Sequence, residues 1–213
     1  MTRAAMQADE PARRLEAMGC EAVVWPLIAV ESLDDGPIDP GAYDWVVVTS
    51  PNGAAELARR LIAPPRQLAA IGPGTAAALR DRGLEPDIVP RESTQEGLLA
   101  ELPRPAGRVL VAAAEGARRV IVDALDADFV PLYRTVELAP AEAPDVDLVL
   151  LASPSAARSL ARTSARAVTV VVIGPQTAAA ARELGLDVAA EADDHDLDGL
   201  LAALAGLLAD EPR

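Results

Sequence analysis

The 213-residue chain contains no lysine, one histidine and one cysteine. Each shortage closes a class of chemistry. A single Cys20 excludes an internal disulfide framework and any cysteine-cluster metal site. It lies in Met18-Gly19-Cys20-Glu21, between a helix end and a strand, and reads as a small buried filler. His195 is the sole imidazole, so a Ser-His-Asp triad or a multi-histidine zinc site lacks material. Its neighbours, Asp193, Asp194 and Asp196, place it in an exposed loop. The five aromatic side chains, Trp25, Tyr43, Trp45, Phe129 and Tyr133, are too few for a base-stacking platform. All 19 basic side chains are arginines, set against 33 acidic residues, and the net charge of −14 repels a phosphate backbone. No nucleic-acid partner is expected. No apolar run approaches the ~18–20 residues of a membrane span, and no signal-peptide core opens the chain, so no membrane is expected and the expected location is cytoplasmic.

What is present is core material. Apolar residues make up 51% of the chain, enough to exclude disorder as its main state. The length fits one large domain or two small ones, since domains mostly run ~100–150 residues.

The sequence is written twice. Asp44-Trp45-Val46-Val47-Val48-Thr49-Ser50-Pro51 resembles Asp147-Leu148-Val149-Leu150-Leu151-Ala152-Ser153-Pro154, 103 positions later. Ile71-Gly72-Pro73-Gly74-Thr75 resembles Ile173-Gly174-Pro175-Gln176-Thr177, 102 positions later. Arg82-Gly83-Leu84 and Gly97-Leu98-Leu99-Ala100 recur at that same offset as Leu184-Gly185-Leu186 and Gly199-Leu200-Leu201-Ala202. A domain-sized period signals duplication instead of a short-repeat solenoid.

Each copy alternates apolar runs with helical stretches. Val46–Val48 and Leu148–Leu151 read as strands buried on both faces of a parallel sheet. Ser-Pro then opens helices at 54–61 and 156–160, and Gly-Pro-x-Thr opens helices at 76–82 and 178–184 that stop at Gly83 and Gly185. Strands are expected at 67–71, 87–89, 168–173 and 188–190, and further helices at 96–101 and 198–208. This alternation predicts right-handed βαβ units and doubly wound parallel sheets. Residues 15–24 and 120–130 both read as helix, break, strand. They lead into the Pro-led extended segments Pro26–Glu31 and Pro131–Glu137, expected to be linker strands at 26–35 and 129–137. The domains are then 1–31 with 138–213, and 36–128. Arg108–Val111 has no counterpart before residue 15, so the first strand of the other domain looks clipped.

In open parallel sheets ligands gather beyond the strand carboxyl ends, where helix N-termini point. Those loops carry Thr49-Ser50-Pro51-Asn52-Gly53, Gly72-Pro73-Gly74-Thr75, Ser93-Thr94, Glu115-Gly116, Ser153-Pro154-Ser155 and Gly174-Pro175-Gln176-Thr177. Hydroxyls and free N–H groups at positive dipole ends suit carboxylates or phosphates, although each hydroxyl can equally be an ordinary helix cap. No loop completes a P-loop or a dinucleotide fingerprint, so nucleotide binding is disfavoured. Arg91, Arg118, Arg119, Arg134 and Arg158 lie close enough to offset a polyanion.

Taken together, the paired blocks, the Thr49–Gly53 loop, Glu92–Leu98, Ala114-Glu115-Gly116-Ala117-Arg118, Pro131–Thr135 and Ile173–Ala178 resemble the uroporphyrinogen-III synthase family. The resemblance implies an α/β fold of two flavodoxin-like doubly wound domains joined by a two-stranded β-ladder. It implies a cofactor-free, metal-free lyase that cyclises hydroxymethylbilane, a linear tetrapyrrole polycarboxylate, with inversion of ring D and loss of water. By position, Tyr133 matches the family's tyrosine that assists departure of the hydroxyl. Thr49, Ser50, Asn52, Gly53, Thr75, Ser93, Thr94, Glu115, Gly116, Ser153, Ser155 and Thr177 match the loops that hold the substrate. A monomer is expected, with at most transient contact with the enzyme that makes the bilane. Two departures stand out: Ala113 and Ala114 precede Glu115 where a basic residue is common, and Ala152 replaces a frequent Thr. A two-domain binding or regulatory module that kept the fold without the reaction is the competing reading, since fold alone does not decide function.

Overall fold

Four apolar residues in a row, Trp45–Val48, are all buried, because this strand is covered on both faces. In the computed structural model, which describes residues 9–138, 140, 142–165 and 168–210, the elements run α1 (Asp9–Ala17), β1 (Ile28–Ser32), β2 (Trp45–Val48), α2 (Pro51–Arg60), β3 (Leu68–Ala70), α3 (Pro73–Arg80), α4 (Gln95–Glu101), β4 (Val109–Ala114), α5 (Val120–Leu125), β5 (Asp128–Glu137), β6 (Leu148–Leu151), α6 (Pro154–Ala161), β7 (Thr169–Val172), α7 (Pro175–Glu183), β8 (Asp187–Glu191) and α8 (Leu197–Asp210). One sheet has the order β1-β5-β4-β2-β3 and the other β6-β7-β8. Pairing is parallel from β5 through β3 and from β6 through β8. The chain divides into two compact units, Val30–Arg134 and Met1–Ala29 with Thr135–Arg213.

Strand alternation sorts each unit into three layers. In Val30–Arg134, Val46, Val48, Leu68, Ala70, Leu110 and Ala112 pack on Ala54 and Leu57 of α2 and Ala76 and Leu79 of α3. The intervening residues, Trp45, Val47, Ala69, Val109, Val111 and Ala113, face Leu98 of α4 and Ile121 of α5. In the other unit Val149, Leu151, Val170 and Val172 meet α6 and α7, together with Trp25 and Leu27. Leu150 and Val171 meet Leu15 of α1 and Leu200, Leu201 and Leu204 of α8.

Local signals set the helix ends. Ser50 and Ser153 cap α2 and α6, each followed by Pro at the first helical position, and Gly72-Pro73 and Gly174-Pro175 open α3 and α7 in the same way. At the far ends Gly83 and Gly185 adopt φ of +76° and +75°. Leu84 N–H reaches the Leu79 carbonyl and Leu186 N–H the Ala181 carbonyl, closing the same glycine-dependent stop twice.

Two expectations change. Residues 87–89 form no strand, only a bridge between Ala69 and Ile88. Pro86 and Pro90 remove donors on both sides, and Leu68 N–H is instead taken by the Asp87 carboxylate at 2.7 Å. Residues 20–24 are not a strand, and among the described residues no strand pairs with the free edge of β6; the expected clipped strand falls on residues 1–8, outside the described residues. A strand is present at the expected 129–137 as the ten-residue β5, which lies in the sheet between β1 and β4. Its Pro131, opposite Ala113, coincides with a register shift, as a residue without an N–H in mid-strand requires.

Gly107 has φ +70°, and a Cβ there would collide with the Asp44 carboxylate that accepts the Arg108 N–H. Gly107→Ala is expected to destabilise the Val30–Arg134 unit by at least ~1–2 kcal/mol, the cost of a left-handed non-glycine residue. Urea unfolding followed by the fluorescence of Trp45 checks this.

Candidate functional site

Because β2, β3, β4 and β5 run parallel, the expected ligand loops of their unit all leave from one edge of the sheet. Their centre is a hydrogen bond of 2.9 Å between the Ser50 hydroxyl and the Tyr133 phenol. Ser50 is the N-cap of α2 and accepts the Gly53 N–H at 2.9 Å. Gly53 is buried, and a Cβ on it would lie 3.0 Å from Ser50 Oγ, a tight contact. Asn52 also reaches the phenol with its side chain. Thr49, half-buried, precedes the cap.

Tyr133 itself is only 5% exposed and belongs to the core cluster beside Leu132. Burial pushes its phenol above the ordinary value of 10.0, opposed by its hydrogen bonds with Ser50 and Asn52. The group therefore stays a protonated donor through the neutral range. Its carbonyl accepts the Glu115 N–H at 2.8 Å, which ties the exposed Glu115-Gly116 turn to β5.

The remaining predicted residues divide by environment. Thr94 caps α4 by accepting the Gly97 N–H, and Ser93 and Thr94 are both exposed. Thr75 and Thr177, each at the third position of its helix, are 3% exposed, so their hydroxyls are not surface groups. In the other unit Ser153 caps α6 through the Ala156 N–H, and Ser155 accepts a hydrogen bond from Arg158. Most of the arginines expected to meet a polyanion are already engaged: Arg118 with Glu96, Arg134 with Glu31, Arg158 with Glu137, while Arg119 lies 3.7 Å over the Phe129 ring. Among the described residues no group of three or more His, Cys, Asp or Glu side chains could hold a metal ion.

Sequence reasoning missed two features. Gln95, 4% exposed, uses its whole amide: Nε2 donates to the Arg118 carbonyl at 2.8 Å and Oε1 accepts the Ile121 N–H at 3.3 Å. Nothing in the local pattern marked it. The exposed His195 lies against the α7 N-cap, where a Cβ on Gly174 would fall 2.7 Å from its ring. The same approach occurs 102 positions earlier, with a Cβ on Gly72 falling 2.5 Å from Ser93 Oγ. Gly199 N–H is likewise capped by Asp196, as Gly97 N–H is by Thr94. A cavity of about 430 Å³ lined by Ile38, Tyr43, Arg60 and Asp128 sits elsewhere, beside the residues that open β2 and β5.

Parallel strands whose carboxyl ends lead into hydroxyl- or glycine-capped helices define a class of α/β proteins that meet anionic ligands at that edge. Within that class the chain belongs to the uroporphyrinogen-III synthase family, whose model, described as uroporphyrinogen-III synthase HemD, matches residues 9–202. It is 29% identical to the uroporphyrinogen-III synthase of Synechococcus elongatus, over 95% of this chain and 92% of that protein. A putative uroporphyrinogen-III synthase of Methanocaldococcus jannaschii is 30% identical over 64% of this chain and 61% of its own length. The crystal structure of a mutant uroporphyrinogen III synthase from the extremely thermophilic bacterium Thermus thermophilus shares the mixed α/β fold with parallel sheets. Its TM-score is 0.58 at 18% identity, over 97% of this chain and 96% of that one.

The raised phenol makes a titration test. Folding stability contributed by a protonated Tyr133 is fully present below the unfolded value near 10 and is lost as pH rises through the higher folded value. Tyr43 is also raised, by burial and by its hydrogen bond to Asp128. The phenolate absorbance of the native protein should therefore appear above pH 10, and in urea at about 10. In Tyr133→Phe the native titration should halve in amplitude. A native phenol ionising at or below pH 10 in the wild type and missing from Tyr133→Phe would contradict the buried assignment.

Proposed function

We propose that the chain is a uroporphyrinogen-III synthase that cyclises hydroxymethylbilane with inversion of ring D and loss of water. The observation that carries this reading is the family match across residues 9–202, joined to the hydrogen bond between the helix cap Ser50 and the buried Tyr133 at the carboxyl edge of the sheet.

The reaction asks little of acid–base chemistry. The terminal hydroxyl leaves, taking one proton and giving water, and an azafulvene cation remains. The substituted carbon of ring D attacks that cation to form a spiro intermediate, whose fragmentation and reclosure invert the ring, and loss of a proton from the reclosed carbon restores the pyrrole and balances the one taken up at the start. The pyrrole nitrogen drives the departure, so the protein needs a hydrogen-bond donor at the leaving oxygen and a grip that folds a flexible chain. Tyr133 with Ser50 supplies the donor: the phenol donates to Ser50 Oγ, leaving the half-buried Ser50 hydroxyl proton to meet the leaving oxygen. Thr49, Asn52, Gly53, Ser93, Thr94, Glu115 and Gly116 line the carboxylate-binding edge of one unit, and Ser153, Ser155 and the helix start at Thr177 that of the other. Thr75 supports its loop from within. The protein works as a monomer in the cytoplasm, without metal or organic cofactor, and contacts the bilane-forming enzyme at most transiently.

The fold itself is proposed as a duplication of a flavodoxin-like domain, 1–31 with 138–213 and 36–128, joined by linker strands at 26–35 and 129–137. In the Val30–Arg134 unit the order β5-β4-β2-β3, continued by the bridge at Ile88, is the flavodoxin order 2-1-3-4-5 if counting starts at β4. The sheet β6-β7-β8 then corresponds to its last three positions. The repeated approaches at Gly72 and Gly174 support the same reading.

Formation of the type III isomer from hydroxymethylbilane in a coupled assay tests the activity directly; only the type I isomer at every enzyme concentration would favour a non-catalytic relative. Tyr133→Phe should fold normally and lose about 10-fold or more in rate, less than the full ~10²–10⁴-fold of a general acid because the pyrrole nitrogen already drives the departure. EDTA should leave the rate unchanged, and a loss restored by added metal would refute the metal-free reading.

A further inference from the structure

We propose that Gln95 is a positioning residue that sets the distance between two of the substrate loops, Ser93-Thr94 and Glu115-Gly116. The proposal rests on the functional reading above and concerns the binding half of that site.

The helix α5 opens at Arg119 with no side-chain cap of its own. An uncapped helix start leaves N–H donors without acceptors, and burying one costs about 1–3 kcal/mol. Gln95 Oε1 fills that role from another element, accepting the N–H of Ile121, which is fully buried. The other end of the same amide holds the carbonyl of Arg118, just before α5. One side chain thus satisfies a donor and an acceptor on the backbone that follows β4. Filling space would need neither end, and an apolar residue would do it without burying an amide.

What Gln95 joins is the reason to assign it a role. On its own side it directly follows Thr94, the cap of α4, so its backbone carries the Ser93-Thr94 turn. On the other side Arg118 lies two residues beyond Gly116, and Ala117 N–H closes that turn on the Ala114 carbonyl at 3.0 Å. Glu115 N–H then reaches the Tyr133 carbonyl, and the Tyr133 phenol reaches Ser50. An unbroken series of hydrogen bonds and short chain segments therefore runs from Thr94 through Gln95 to Glu115, Tyr133 and Ser50. The Arg118–Glu96 pair bridges the same two elements, but its side chains are 51% and 56% exposed, and such pairs hold little. Gln95 is the buried fastening of the two loops.

Loops that hold carboxylates equally in substrate and transition state act on KM. Losing one fastening of ordinary hydrogen-bond strength should relax the spacing enough to raise KM for hydroxymethylbilane about 3–10-fold, with kcat within about threefold. Gln95→Leu, similar in size and unable to bond at either end, is the first variant. Gln95→Glu is the second, in case the first does not fold. Its protonated carboxyl offers one donor and one acceptor in the same shape, whereas the ionised form cannot donate to Arg118. Burial and Glu96 on its own helix raise the pKa of the new carboxyl, and the guanidinium groups of Arg118 and Arg119 lower it. Its KM relative to wild type should therefore be smaller at pH 6 than at pH 8.5. Glu96→Gln, which removes only the charge of the surface pair with Arg118, should stay within about twofold of wild-type KM. Wild-type KM in a folded Gln95→Leu, or a Gln95→Glu whose KM relative to wild type is the same at both pH values, overturns the proposal. So does a lowered melting temperature with unchanged kinetics, which would make Gln95 structural only. An inactive wild-type protein would overturn the functional reading instead, and is seen before any variant is made.

Discussion

When strands pair in parallel, each delivers its carboxyl end to the same edge of the sheet, and the helix that follows must start there. In the Val30–Arg134 unit this holds for β2, β3 and β4, and in the other unit for β6 and β7. The consequence is electrostatic as well as geometric. Helix starts with free N–H groups and positive dipole ends collect along one line, and the side chains that cap them sit there as well. A protein with 33 acidic residues and 19 arginines carries a net charge of −14, which by itself repels a polyanion. Oriented backbone dipoles offer attraction that Arg118, Arg134 and Arg158, engaged with Glu96, Glu31 and Glu137, do not.

The second constraint is the burial of polar groups that a loop-built site needs. Tyr133 and Gln95 are both nearly inaccessible, and both are hydrogen-bonded: the phenol with Ser50 and Asn52, the amide at its nitrogen with Arg118 and at its oxygen with Ile121. Buried polar groups of this kind cost free energy unless satisfied, and once satisfied they fix geometry more sharply than apolar contacts. A reaction that needs positioning more than acid strength is suited to such a frame. It also explains why the chain manages with one histidine and one cysteine.

Much of this was legible locally. Apolar runs at Val46–Val48 and Leu148–Leu151 became buried strands, since a strand covered on both faces tolerates only apolar side chains. Ser-Pro and Gly-Pro opened helices, and Gly83 and Gly185 ended them, because caps and left-handed stops are decided within a few residues. Where local pattern competed with pairing it failed. Residues 87–89 are β-branched or apolar at two of three positions, yet the prolines on either side leave too few donors for a ladder. Pro131 reads as the start of an extended segment, but β5 starts at Asp128 and runs through it, lying between β1 and β4 in the sheet.

The sequence alone determined the alternation of strand and helix, the repeat near 102 residues, the polar chemistry of the loops and the family resemblance. All of these are properties of neighbouring residues or of their order. Tertiary structure alone decided which loops touch. Ser50 and Tyr133 are 83 residues apart, and Gln95 and Arg118 are 23 apart. His195 reads as a solvated loop residue, and it is exposed, but only folding brings its ring against Gly174. Such contacts form because parallel strands and their crossover helices carry distant segments to one edge. A hydrogen bond reaches only about 3 Å, so no local pattern encodes which distant residue arrives within it.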